Sequence, residues 1–130
     1  MIVVDSSALI ELLLGTSKGP AVKAALATHN GKLHAPYLLD IEILHVLRRY
    51  NLSNSLTDAQ ADRALFSFGL LDCVRYPQAA LIHRIWELRH NLTAYDAAYV
   101  ALAEALDAPL LTCDARLASS PGHTARIELV

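Results

Sequence analysis

The tightest restriction on the fold sits at the start of the chain, Ile2-Val3-Val4-Asp5-Ser6-Ser7. A short β-branched run with no polar alternation is the pattern of a strand covered on both faces, as in a parallel sheet. A helical pattern, Ala8 to Leu14, follows almost at once. Asp5 thus falls at the carboxyl end of a strand, which is where open α/β sheets bind ligands. Taken alone, it serves equally as a site carboxylate or as the helix N-cap, and Ser6 or Ser7 would cap as well.

The same alternation continues along the chain. Thr16-Ser17-Lys18-Gly19-Pro20 breaks the first helix, and Pro20 suits the first turn of a second, Ala21 to Thr28. Asn30-Gly31 marks a turn before a short strand, Leu33-His34-Ala35, closed by Pro36. A helix over about 37–50 is apolar almost all round and carries Glu42 inside that pattern. A carboxylate there is partly buried, which is costly without a partner; Arg49 offers one on the same helix. Asp40, in the first turn, is accounted for by the helix dipole. Thr57-Asp58-Ala59-Gln60 reads as a capping box opening a helix to Phe68. A third strand is expected over 71–75, and a helix from Pro77 to His90 with a basic side of His83, Arg84, Arg89 and His90. Thr93 and Asp96 have capping-box spacing before the small, apolar helix of 97–103, which such a composition buries against a sheet. A fourth strand, 110–112, ends at Cys113-Asp114, with Asp114 either a site residue or the cap of a short helix. A last edge strand is expected over 125–130.

Strands alternating with helices argue one α/β domain, 1–130, with a parallel sheet and right-handed crossovers. Asp5 and Asp114 then end strands on one edge of that sheet, with Glu42 and Asp96 on helices packed nearby. Clustered carboxylates repel one another and invite a hard cation, Mg²⁺ or Mn²⁺, which takes oxygen ligands. Two such ions about 3.5–4 Å apart activate water for phosphodiester cleavage. The formal charge of −2 does not advertise a nucleic-acid binder, but it is an average. Of 13 acidic residues, four belong to this set, leaving nine against 11 basic ones.

Other classes fit less well. Cys73 and Cys113 are far apart and form no CxxC pair, which suits reduced core thiols in a cytoplasmic protein rather than a disulfide or zinc site. No apolar run approaches the roughly 20 residues of a membrane span, and no basic segment precedes the first strand as in a signal peptide. A hydrophobic fraction of 54% points instead to a surface that a partner covers. A haloacid-dehalogenase phosphatase needs an Asp where Ser7 stands. A receiver domain needs paired early acids and a strand-end Lys. No Gly-rich phosphate loop is present.

Four blocks together resemble the PIN-domain ribonucleases, and within them the VapC toxins of bacterial toxin–antitoxin modules: Val3-Val4-Asp5-Ser6-Ser7; Pro36-Tyr37-Leu38-Leu39-Asp40-Ile41-Glu42 with Leu47-Arg48-Arg49; Leu92-Thr93-Ala94-Tyr95-Asp96-Ala97-Ala98-Tyr99; and Leu111-Thr112-Cys113-Asp114. Their order and spacing fit along the whole chain. The resemblance implies a three-layer fold with a mostly parallel sheet of four to five strands. It implies catalysis and metal binding by Asp5, Glu42, Asp96 and Asp114, with Thr112 and Ser6 positioning a carboxylate or water. It also implies a homodimer, a VapB antitoxin as inhibitor, and structured RNA such as tRNA or rRNA as substrate. The helices over 37–50 and 57–68 are expected to line the antitoxin groove and to border the dimer contact. The alternative is a PIN-like module that binds or regulates without catalysis.

Overall fold

A computed structural model describes all of residues 1–130. Five strands form one sheet: β1 (Ile2–Val4), β2 (Leu33–Pro36), β3 (Cys73–Tyr76), β4 (Leu110–Thr112) and β5 (Ile127–Leu129). Every pairing is parallel and the order is β3-β2-β1-β4-β5. Seven helices flank it: α1 (Ser6–Leu13), α2 (Gly19–Ala27), α3 (Leu38–Leu52), α4 (Asp58–Gly69), α5 (Ile82–Glu87), α6 (Ala94–Leu106) and α7 (Ala115–Ala118). This is the expected three-layer α/β fold, fully rather than mostly parallel.

The topology follows from burial. Ile2, Val3 and Val4 are fully buried, which only the middle of a sheet covered on both faces provides. From β1 the chain steps outward through β2 to β3, then returns to the other side of β1 for β4 and β5. Right-handed crossovers put the helices of the two directions on opposite faces. Accordingly α1 packs on α2 and α3, whereas α6 packs on α5, β1 and β2. The reversal of direction lies between β1 and β4, the point where a crevice opens at the carboxyl ends of such sheets.

Local signals hold in most places. Thr57 and Gln60 form the reciprocal capping box of α4. Asn30 and Gly31 both adopt positive φ at the turn before β2. In α6 every residue from Ala97 to Ala103 is buried, as its small side chains require for close approach to the sheet.

Three expectations change. The helix over 37–50 is not buried all round: Leu39, Ile43 and Leu47 make one inward stripe, while Ile41 and Leu44 face outward. The segment after Pro77 is not one helix. It is a 3₁₀ turn, the two turns of α5, and another 3₁₀ turn at 88–90, with only Leu88 buried. Too little apolar surface is anchored there to enforce a single continuous axis. The thiols of Cys73 and Cys113 are free but only half-buried, since each stands at an end of its strand rather than in the core.

Candidate active site

Asp5 stands at the end of β1 and beside the end of β4, its backbone N–H donating to Leu111. It is the N-cap of α1, so the candidate site carboxylate is also the helix cap. Its Oδ1 accepts from the Ala8 N–H at 3.0 Å and from the Ser7 hydroxyl at 2.7 Å. Its Oδ2 accepts from the Thr112 hydroxyl at 2.6 Å. Both hydroxyls in turn accept backbone protons, Ser7 from the Cys113 N–H at 2.9 Å and Thr112 from the Asp114 N–H at 3.0 Å. Each hydroxyl has one proton, and both protons go to Asp5. The 3.2 Å approach of the two hydroxyls is therefore a contact of shared neighbours rather than a bond. The strand-end amides polarise two hydroxyls toward one carboxylate, which is 6% exposed.

These bonds favour the ionised form, yet burial outweighs them and pushes the Asp5 pKa up, with the charge of Asp96 adding to the rise. Glu42 projects from α3, half-buried, and its Oε1 accepts from the Tyr99 hydroxyl at 2.5 Å. Its pKa is also raised, by burial first, against the Tyr99 bond, and then by Asp5 and Asp96. Asp96 lies in the first turn of α6, where its N–H donates to the Thr93 hydroxyl. The reciprocal arm of the capping box is not made, which leaves the carboxylate free to face the others. Burial raises its pKa, and Asp114 raises it further against the opposing pull of Arg116. Asp114 caps α7, with Oδ1 accepting from the N–H groups of Arg116 and Leu117.

Asp96 thus lies within reach of the charges of Asp5 and Glu42, and Asp114 lies within reach of Asp96. No three stand close enough to chelate one ion as they are placed. The reason is visible in the bonds above: hydroxyls or backbone amides hold Asp5, Glu42 and Asp114 in their own directions. The donor set itself suits a divalent cation, being all carboxylate, with no lysine among its neighbours and with three members raised by burial and mutual repulsion.

Thr112 is where the expectation put it. The hydroxyl on Asp5 is that of Ser7 rather than Ser6; Ser6 lies near Glu42 instead. Tyr99 is a participant that the residue pattern did not assign. Its signal is a phenol among alanines on a buried helix, since a buried tyrosine hydroxyl needs a partner. Arg49 does not pair with Glu42; its guanidinium lies over the Tyr50 ring. Asp40 is structural, held by Arg75 at 2.9 Å.

The PIN domain family matches residues 2–121 of this chain. The chain is 46% identical to Ribonuclease VapC1 of Mycobacterium tuberculosis over 129 residues, covering 98% of this chain and 96% of that protein. It is 42% identical to Ribonuclease VapC12 of the same organism over 130 residues, covering 100% and 99%. Among solved structures, PAE2754 from Pyrobaculum aerophilum superposes with a TM-score of 0.72 at 25% identity, covering 97% of this chain and 81% of that one. The fold is also that of Mycobacterium tuberculosis VapC20, a sarcin–ricin loop cleaving toxin, with a TM-score of 0.70 at 18% identity over 92% and 94% of the two chains.

Proposed function

We propose, from the premise that this chain belongs to the PIN domain family, that it is a metal-dependent endoribonuclease toxin of the VapC type. Its substrate is structured RNA, of the tRNA or rRNA kind, and a VapB-type antitoxin inhibits it. The observation that carries the reading is the carboxylate set at the β1–β4 crevice, where burial first, and then the charge of neighbouring carboxylates, raises the pKa values of Asp5, Glu42 and Asp96. Near-full-length relatives that are named ribonucleases support it.

Asp5, Glu42, Asp96 and Asp114 would hold Mg²⁺ or Mn²⁺. When bound, the ion supplies the Lewis acidity that hydrolysis of a phosphodiester needs. The protein's own residues prepare for this. Ser7 and Thr112 fix both oxygens of Asp5 and so set the plane of its carboxylate. Tyr99 donates to one oxygen of Glu42, and Ser6 stands beside the same carboxylate. Thr93 fixes the first turn of α6, and with it the position of Asp96. No His, Cys or Ser nucleophile arrangement competes with this set.

Partners fit the surface. Ile41, Leu44 and Leu52 on α3, and Leu65 and Phe66 on α4, are exposed, Phe66 at 71%. Such an apolar face suits an amphipathic antitoxin segment and the border of a homodimer. No helix is long and apolar enough to cross a membrane.

The test is cleavage of RNA with Mg²⁺ and with excess EDTA, with the ends identified. Cleavage only with the metal, giving 5′-phosphate and 3′-hydroxyl ends, is expected. Full activity in EDTA, or a 2′,3′-cyclic phosphate product, overturns the mechanism. Folded protein that binds RNA without cutting it returns the chain to the non-catalytic alternative.

A further inference from the structure

The two oxygens of Asp114 meet different neighbours. Oδ1 caps α7, accepting from the N–H groups of Arg116 and Leu117 at 2.9 and 3.3 Å. Oδ2 accepts no hydrogen bond, and what faces it is the guanidinium of Arg116, with Nη2 at 3.7 Å. That separation is an ionic contact, too long for a hydrogen bond. The same side chain lines two hollows, a cleft of about 450 Å³ with Asp114 and a smaller one of about 100 Å³ with Asn91, Thr93 and Asp96. Its charge reaches both acids, and at Asp96 it opposes the repulsion from Asp114. Arg116 is nonetheless loosely held, its side chain 82% exposed. The scaffold arginines differ: Arg75 and Arg84 are locked to carboxylates at 2.9 and 2.7 Å. An exposed ion pair of the looser kind contributes little to stability, so little opposes its exchange for another partner.

We propose that Arg116 is a resident counter-ion of the carboxylate site: its guanidinium stands at Asp114 Oδ2 until a divalent ion arrives, and the ion binds by displacing it. The proposal rests on the metal-dependent reading above and adds a residue that sets how tightly the ion is held. With Oδ1 tied to the start of α7, Oδ2 is the oxygen that Asp114 can offer to an ion. Mg²⁺ sits about 2.0–2.1 Å from such an oxygen. A guanidinium 3.7 Å from the same oxygen competes for that space and places a like charge beside the ion. Its departure breaks no hydrogen bond to Asp114, and the freed side chain turns into water. Substituting Arg116 removes the competitor and spares the cap, because the N–H that donates to Oδ1 belongs to the backbone.

Mn²⁺ binding to the full chain, followed by electron paramagnetic resonance over a series of salt concentrations, tests this. A unit charge a few ångströms from a divalent ion shifts its affinity by about tenfold in dilute buffer, and by less as salt screens it. Arg116→Gln is therefore expected to bind Mn²⁺ about tenfold more tightly than wild type at low salt, with a gain that shrinks as salt is added. Arg116→Lys keeps the charge and is expected to stay near wild type. Arg49 lines the same cleft but makes no ion pair, its guanidinium lying over the Tyr50 ring; Arg49→Gln is expected to change the affinity by less than about twofold. In an Asp114→Asn background the ion pair is already gone, and the gain from Arg116→Gln should largely vanish. Equal or weaker binding by Arg116→Gln overturns the proposal and leaves the metal site standing. A gain that Arg49→Gln matches, or that survives Asp114→Asn in full, also overturns it, since it then reports the overall charge of the cleft and not displacement from Asp114. If neither wild type nor Arg116→Gln binds Mn²⁺, the metal-dependent reading falls and this proposal falls with it.

Discussion

The two ends of α6 each carry a partly buried carboxylate, and the two behave in opposite ways. In the last turns, Glu104 accepts from Arg84 at 2.7 and 2.9 Å and from the Thr124 N–H at 2.9 Å. Those bonds hold its pKa below the ordinary carboxylate range. In the first turn, Asp96 has burial and the charge of Asp114 to contend with, and its pKa is raised. Burial pushes both carboxylates toward the neutral form. At Glu104 the bonds from Arg84 outweigh it, whereas at Asp96 it prevails and the charge of Asp114 adds to it. Glu104 stitches α6 to α5 and to the loop before β5; Asp96 has no arginine bonded to it, and on the proposed reading a bound cation takes that place.

The largest effect expected of this contrast is on catalysis. Asp96→Asn should lower RNA cleavage by more than about a hundredfold, the scale on which metal-site and preorganised charge defects act. Asn keeps the side-chain shape, so the metal-free variant should melt no lower than wild type. Mg²⁺ should then raise the melting temperature of wild type by mass action, and that of the variant much less. A variant that loses stability while cleaving normally would return Asp96 to a capping role.

Glu104→Gln should do the reverse. It strands Arg84 and weakens the bonds to Thr124, at a cost of about 1–3 kcal/mol for a charge-assisted bond. Cleavage per folded molecule should not change. Denaturant midpoints alongside turnover corrected for the folded fraction check both statements. A cleavage loss comparable to that of Asp96→Asn would erase the distinction between the two ends.

Tyr99→Phe sharpens the comparison at its third carboxylate. The ring is 1% exposed and stays in the core, so only the hydroxyl on Glu42 is lost. Removing a partner that orients a metal-ligating carboxylate weakens metal binding by about tenfold. Mn²⁺ titration followed by electron paramagnetic resonance measures this directly. Unchanged Mn²⁺ affinity would make Tyr99 a packing residue only.

The smallest effect is on stability against pH in EDTA. Asp5, Glu42 and Asp96 have folded pKa values above their unfolded ones, so their ionised forms cost stability at neutral pH. That cost is relieved as pH falls through the raised values toward the unfolded range near about 4. Glu104 contributes in the other direction: its stabilisation is present above the unfolded value and is lost as pH falls through its lowered one. The metal-free protein should therefore melt higher at mildly acidic pH than at neutral pH, and lower again in stronger acid. The rise should be smaller in Asp96→Asn. A melting temperature that falls steadily from neutral pH would mean that the carboxylates are not in conflict.

The strand and helix order and the positions of the candidate carboxylates are legible in the sequence because each has a local cause. β-Branched runs mark buried strands, and the small side chains of α6 mark a buried helix with an acid at its start. Glu42 stood out as a carboxylate on an apolar helix. Asp114 reads in the sequence as either cap or site; it caps α7, and its charge reaches Asp96 from that position. Ser6 stands at Glu42, and Ser7, which the residue pattern does not single out, donates to Asp5. Which hydroxyl turns inward depends on where β4 lies, and β4 is more than a hundred residues further along the chain.

Hydrophobic periodicity, turn residues and caps act over a few residues, so the sequence specified the elements, the parallel sheet and the carboxylates at the element starts and strand ends. The resemblance carried by four short blocks then named the chemistry. Pairings across the sheet act between residues far apart in the chain, and they became legible only in the folded molecule. These are the donation of Ser7 and Thr112 to Asp5, the bond from Tyr99 to Glu42, and the opposite fates of Asp96 and Glu104. Each depends on which surfaces the strand order β3-β2-β1-β4-β5 brings together. A side chain's charge and proton are set by what it meets there, not by its neighbours in sequence.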